Sequence, residues 1–97
     1  MVRIDTFEVN GEQIQGLTIG EKNPNMIMFL LRRGYIMCGY LNLQTAEEDG
    51  DTAAVISAPD LATLLDNKVK GMTSKAAALG VEIGMTGREA VRILNQK

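Results

Sequence analysis

The chain has 97 residues, 45% hydrophobic and 23% charged, with a formal net charge of −2, a balance that fits one globular domain and leaves no room for a second. It has no histidine and a single cysteine, which excludes Ser-His and Cys-His nucleophile pairs, a structural zinc site within one chain and an internal disulfide. Residues 41–66 hold six acids and no base, while residues 67–97 hold six bases, two acids and no aromatic; that pattern predicts solvated or apposed faces and argues against a nucleic-acid surface.

The first residues, Met-Val-Arg-Ile-Asp, lack an apolar signal core, and the apolar run at residues 26–31 is far shorter than the ~20 residues that cross a bilayer. The expectation is a cytoplasmic protein without a membrane anchor, and the lone thiol agrees with a reducing compartment.

Asn10-Gly11, between Val9 and Glu12, is a hairpin signal, because both positions of a type I′ turn favour positive φ. A two-residue loop sets Val9 against Glu12, Phe7 against Ile14, Ile4 against Leu17 and Val2 against Ile19. Phe7/Ile14 and Ile4/Leu17 differ in parity. Either the ribbon is covered on both sides at different points, or a bulge near Gly16 changes the facing.

Asn23-Pro24-Asn25 predicts a turn into a second hairpin. Its first strand, residues 26–31, lacks alternation and is expected to be buried on both faces. Its second spans residues 35–43. A three-residue loop, Arg32-Arg33-Gly34 with Gly34 left-handed, and a two-residue loop, Arg33-Gly34, both fit. They place Cys38 mid-strand, opposite Met28 or Phe29. Residues 44–51 read as a short exposed helix or a loop, and residues 52–57 as a fifth strand.

Pro59-Asp60 opens a helix with Leu61, Leu64 and Leu65 on one side, capped by Ser57 or Asp60. Gly71-Met72-Thr73 and Gly84-Met85-Thr86 echo one another, each read as a glycine bend, a Met at N′ and a Thr cap. Thr86 and Glu89 form a capping box, with Met85 positioned to staple onto Ala90. Gly80 ends the earlier helix. The fold class is α+β: a mainly antiparallel sheet of about five strands, with two to three C-terminal helices packed on one face.

Three segments resemble a known family: residues 34–39 (Gly-Tyr-Ile-Met-Cys-Gly), Leu64-Leu65-Asp66, and residues 84–90 (Gly-Met-Thr-Gly-Arg-Glu-Ala). They are similar to the YunC-like family of small bacterial and archaeal proteins, a domain of unknown function. The resemblance spans residues 24–95 and implies a compact α+β domain. It brings no activity, substrate or catalytic residue. Residues 43–53 depart from the family pattern, being shorter and more acidic.

Cys38 is the candidate nucleophile, with Gly39 leaving space beside the sulfur and Tyr35, Tyr40 or Arg33 available to stabilise a thiolate. The competing reading is packing, since an apolar environment deadens a thiol. The helix starts at Thr73 and Thr86 are candidate anion sites, where Ser74 and Gly87 permit close approach and Lys75 and Arg88 add charge. Their spacing matches neither a Walker loop nor a dinucleotide fingerprint. The acids at residues 47–51 lack the ligand spacing of a calcium loop and read as solvated. The methionines read as gap-fillers.

Two functions emerge. The first is a small non-catalytic, self-associating module with no cofactor. The alternative is a Cys38-dependent enzyme or thiol sensor that binds a small anionic ligand through Gly39, Thr86, Gly87 and Arg88. It requires Cys38 and residues 84–88 to meet in space. Neither reading involves a membrane or a nucleic acid.

Overall fold

Asn10 and Gly11 both hold positive φ, 55° and 82°, as a two-residue type I′ turn requires. β1 (Val2–Val9) and β2 (Glu12–Ile19) leave it antiparallel, with Val9 opposite Glu12 and Val2 opposite Ile19. The expected register holds along the whole ribbon, and no bulge interrupts it at Gly16. The computed structural model describes residues 1–20 and 26–97. The turn expected at Asn23-Pro24-Asn25 lies outside the described residues.

β3 (Met26–Leu30), β4 (Tyr35–Met37), β5 (Ala53–Val55) and β6 (Gly71–Met72) complete a six-stranded sheet whose spatial order follows the chain. Neighbours are antiparallel except β4 and β5, which run parallel. A parallel pair needs a crossover, and α1 (Leu43–Asp49) lies within it. α2 (Leu61–Asp66), α3 (Ser74–Leu79) and α4 (Gly87–Leu94) follow. The architecture is the expected α+β, with one strand more.

The second hairpin differs from both expected registers. Leu30 stands opposite Tyr35, Phe29 opposite Ile36 and Met28 opposite Met37. Residues 31–34 therefore form the connection, and Cys38 falls beside Ile27, whose carbonyl accepts its N–H at 3.1 Å. The loop takes its shape from the end of α4: Arg33 N–H donates to the Leu94 carbonyl (2.9 Å) and Arg32 N–H to Asn95 Oδ1 (3.1 Å). Gly34 is not left-handed. It is glycine for want of room, because a Cβ there would stand 2.0 Å from the Thr52 carbonyl oxygen. β4 also stops at Met37 rather than at residue 43, since residues 38–41 turn, with Leu41 N–H donating to the Cys38 carbonyl.

Residues 44–51 are helical as far as Asp49, capped by Asn42 and ended by Gly50 at φ 78°. Asp60, not Ser57, caps α2, its carboxylate accepting from Thr63 N–H at 2.8 Å; that bond lowers the Asp60 pKa. The two Gly-Met-Thr segments part company. Gly84 bends at φ 96° before the Thr86–Glu89 capping box. Gly71 and Met72 instead pair with Val55 and Ala54 as β6, so only the Thr73 cap fits the expected helix start.

The sheet has two unlike faces. On the inner one, Val9, Ile14, Ile27, Phe29, Ile36 and Ala54 share one cluster with residues of α2, α3 and α4. Phe29 is fully buried, with the Phe7 ring edge-on to it at 5.4 Å and 85°. The opposite face carries a row crossing all six strands: Ile4, Leu17, Met28, Met37, Val55 and Gly71. At the β6 end α1 covers it, and a Cβ on Gly71 would stand 2.6 Å from Leu43 Cδ1. At the β1 end this face is open, with Val2 64% and Ile4 63% exposed. β3 thus alternates, Ile27 and Phe29 buried and Leu30 exposed, which overturns the expectation of a strand buried on both faces.

Candidate functional site

Cys38 sits one residue beyond β4, and its backbone bond to Ile27 turns its side chain into the core cluster. Its thiol is free and only 4% exposed, and its sulfur accepts the Ile27 N–H at 3.5 Å. A thiol held by the sheet ladder and packed among apolar side chains is a core residue that also caps a strand. The surface above it belongs to Gly39: a Cβ there would lie 3.6 Å from Lys70 Nζ and 3.7 Å from Ser57 Oγ. Lysine and serine thus stand over the backbone that follows the thiol.

Two of the side chains proposed to assist Cys38, Tyr35 and Arg33, are engaged elsewhere. Tyr35 donates its hydroxyl to Asp51 Oδ2 at 2.8 Å, joining β4 to the loop before β5. Partial burial, then the Asp51 hydrogen bond and carboxylate charge, push its pKa up to about 12. Arg33 donates from its guanidinium to the Gln96 and Lys97 carbonyls, at 3.0 and 2.6 Å.

Thr86, Gly87 and Arg88 gather with the end of α2 rather than with Cys38. Thr86 forms an isolated bridge with Lys68. Its hydroxyl oxygen accepts from Glu89 N–H at 3.3 Å. Gly87 N–H donates to the Asn67 carbonyl at 2.9 Å. A Cβ on Gly87 would stand 2.4 Å from the Leu64 carbonyl oxygen, so its missing side chain admits the α2 backbone. Arg88 Nε pairs with Asp66 at 3.0 Å, an exposed ion pair worth little by itself. The structure therefore brings Thr86, Gly87 and Arg88 together, and Cys38 and Gly39 together, around different partners.

The start of α3 already holds a carboxylate, and it comes from this chain. Ser74 N–H donates to Glu47 Oε1 at 2.7 Å, and the Ser74 hydroxyl donates to Glu47 Oε2. The hydroxyl bond first, and the backbone bond second, lower the Glu47 pKa. Thr73, fully buried, accepts from Ala53 N–H at 3.1 Å, locking α3 to β5. Among the described residues no three acidic or thiol side chains cluster closely enough to hold a metal ion.

The feature that sequence reasoning missed is the outer sheet face. The parity mismatch between Phe7/Ile14 and Ile4/Leu17 was its signal, and its resolution is a face left open rather than covered or bulged. The sheet rows bring Val2, Ile4, Leu17, Ile19, Met28 and Leu30 together there.

A family model for a domain of unknown function (DUF1805) matches residues 37–94. The chain belongs to that family. The match begins on β4 and ends with α4, taking in Cys38, α1 and the Thr86 cap. The chain is also similar to the uncharacterized protein YunC of Bacillus subtilis (strain 168), with 29% identity over 96 residues, covering 94% of this chain and 95% of the relative. A crystal structure of a protein of unknown function, TA1206 from Thermoplasma acidophilum, superposes with a TM-score of 0.88 at 29% identity, covering 97% of this chain and 93% of that one. These likenesses extend over the whole fold, including the N-terminal ribbon that the family model leaves out. Among the described residues no helix is long and apolar enough to cross a membrane.

Proposed function

We propose that this domain is a small non-catalytic module of the cytoplasm that works by associating with a second copy of itself. The observation that supports the reading is the open half of the outer face. There Val2, Ile4, Ile19 and Leu30 stand 64%, 63%, 37% and 49% exposed in adjoining strands. Single exposed apolar side chains are ordinary, but a contiguous apolar patch on a small domain marks an interaction surface. The chemistry-bearing groups weigh the same way. The thiol is turned inward, and the start of α3 is already taken by this chain's own Glu47 carboxylate. Size-exclusion chromatography with light scattering tests it: the expected mass is that of an oligomer which dissociates on dilution. A monomer mass at every concentration overturns it.

A further inference from the structure

β1 is an edge strand: among the described residues it pairs only with β2. Gly20 N–H donates to the Met1 carbonyl at 2.8 Å, which fixes the phase of the ladder. Met1, Arg3, Asp5, Phe7 and Val9 turn their backbone groups toward β2, so the N–H and C=O groups of Val2, Ile4, Thr6 and Glu8 point away from the sheet. The far end of the strand is flanked by α4, where Asn10 Nδ2 donates to the Arg88 carbonyl at 3.0 Å. Residues 2–6 hold no proline, no bulge and no lysine; the charges that guard this edge are Arg3 and Asp5, one of each sign.

We propose that β1 pairs antiparallel with β1 of a second copy about a two-fold axis at Ile4, joining the two sheets into one of twelve strands. This deepens the self-association reading and rests on it. Charge selects both the occupant and the register. Outward backbone groups can meet only if even residues face even residues. With Ile4 opposite its own counterpart, Arg3 stands opposite Asp5 of the second copy, and Asp5 opposite its Arg3. Shifting the register by one step in either direction sets Arg3 against Arg3 or Asp5 against Asp5. Within one chain Arg3 Nε already holds Asp5 Oδ2 at 3.0 Å, so the two pairs merge into a ring of four alternating charges. A second copy is thus the partner whose charges this edge complements. The same axis sets Ile4 beside Ile4 on the outer face, making the open row of each copy continuous with the other. Val2 then lies opposite Thr6, and Met1 opposite Phe7. A single edge contact falls at the small end of interface sizes, so the dimer dissociates reversibly.

Sedimentation equilibrium of four proteins tests the proposal: wild type, Arg3→Asp, Asp5→Arg, and an equimolar mixture of the two variants. Both side chains are substantially exposed, 63% and 40%, so the variants keep the fold. Each variant alone sets like charges opposite one another and is expected to dimerise about tenfold more weakly or worse. The mixture restores opposite charges and is expected to form a heterodimer at least as strong as the wild-type dimer. Ile4→Pro removes an outward N–H from the edge and is expected to abolish the dimer with the circular dichroism spectrum unchanged. A wild-type dimer indifferent to all of these changes overturns the edge pairing while self-association stands. A wild-type monomer at every concentration overturns both.

Discussion

The two faces of the sheet are built from the same strands, residue by residue in alternation, yet meet opposite fates. Inner-face side chains such as Ile14, Ile27, Phe29 and Ile36 disappear under α2, α3 and α4. On the outer face α1 lies over β6 through Leu43, and β1 is left open. The sheet is wider than the helical cover available to one chain on that side. The large buried side chains lie on the inner face, and the open apolar stretch of Val2, Ile4, Ile19 and Leu30 lies on the outer one.

The largest expected effect falls on the inner face. Phe29→Ala removes a fully buried ring together with its edge contact to Phe7 and should cost about 3–5 kcal/mol, read as a lower urea midpoint. A loss as small as that of a surface substitution would break the contrast between the faces. Next comes the α2–α4 contact. Gly87→Ala drives a Cβ against the Leu64 carbonyl and should cost about 1–3 kcal/mol, with the backbone of α2 displaced in its amide chemical shifts. An unchanged stability would mean that α4 does not lean on α2 there.

The Tyr35–Asp51 bond, at the seam between β4 and the crossover, gives a pH signature. The folded pKa of Tyr35 is raised from 10.0 to about 12. The folded state therefore keeps its proton where the unfolded state loses it. Its stabilising contribution is full below pH 10.0 and declines as pH rises through about 12. Subtracting the urea stability profile of Tyr35→Phe from that of the wild type isolates this term, because the other alkaline titrations cancel. A difference flat across that window would contradict the bond. The smallest effect is expected at Ile4. Ile4→Thr should change the stability of the monomer by less than about 0.5 kcal/mol while weakening association.

Legibility followed how local each determinant is. The N-terminal ribbon was readable because Asn10-Gly11 alone dictates turn type and register. The capping box at Thr86 and Glu89 was readable for the same reason. The second hairpin was not, because its loop is shaped by carbonyls at the end of α4, some sixty residues away in the chain. β6 was invisible because two residues show no alternation, and its Gly71 is explained only by Leu43 lying over it. Cys38 was expected mid-strand and lies instead one residue beyond β4, because its register and its N–H···S bond depend on that distant loop. The candidate anion groups were identified by residue type, but their partners, Asp66, Asn67 and Glu47, come from elsewhere in the sequence.

The claim that the open outer face and its edge serve association is tested most directly by the melting temperature as a function of protein concentration. Binding between folded copies stabilises them by mass action. The wild type should melt at progressively higher temperature across about a hundredfold rise in concentration, while Ile4→Thr stays flat over the same range and converges with the wild type on dilution. A wild-type melting temperature independent of concentration would contradict the account.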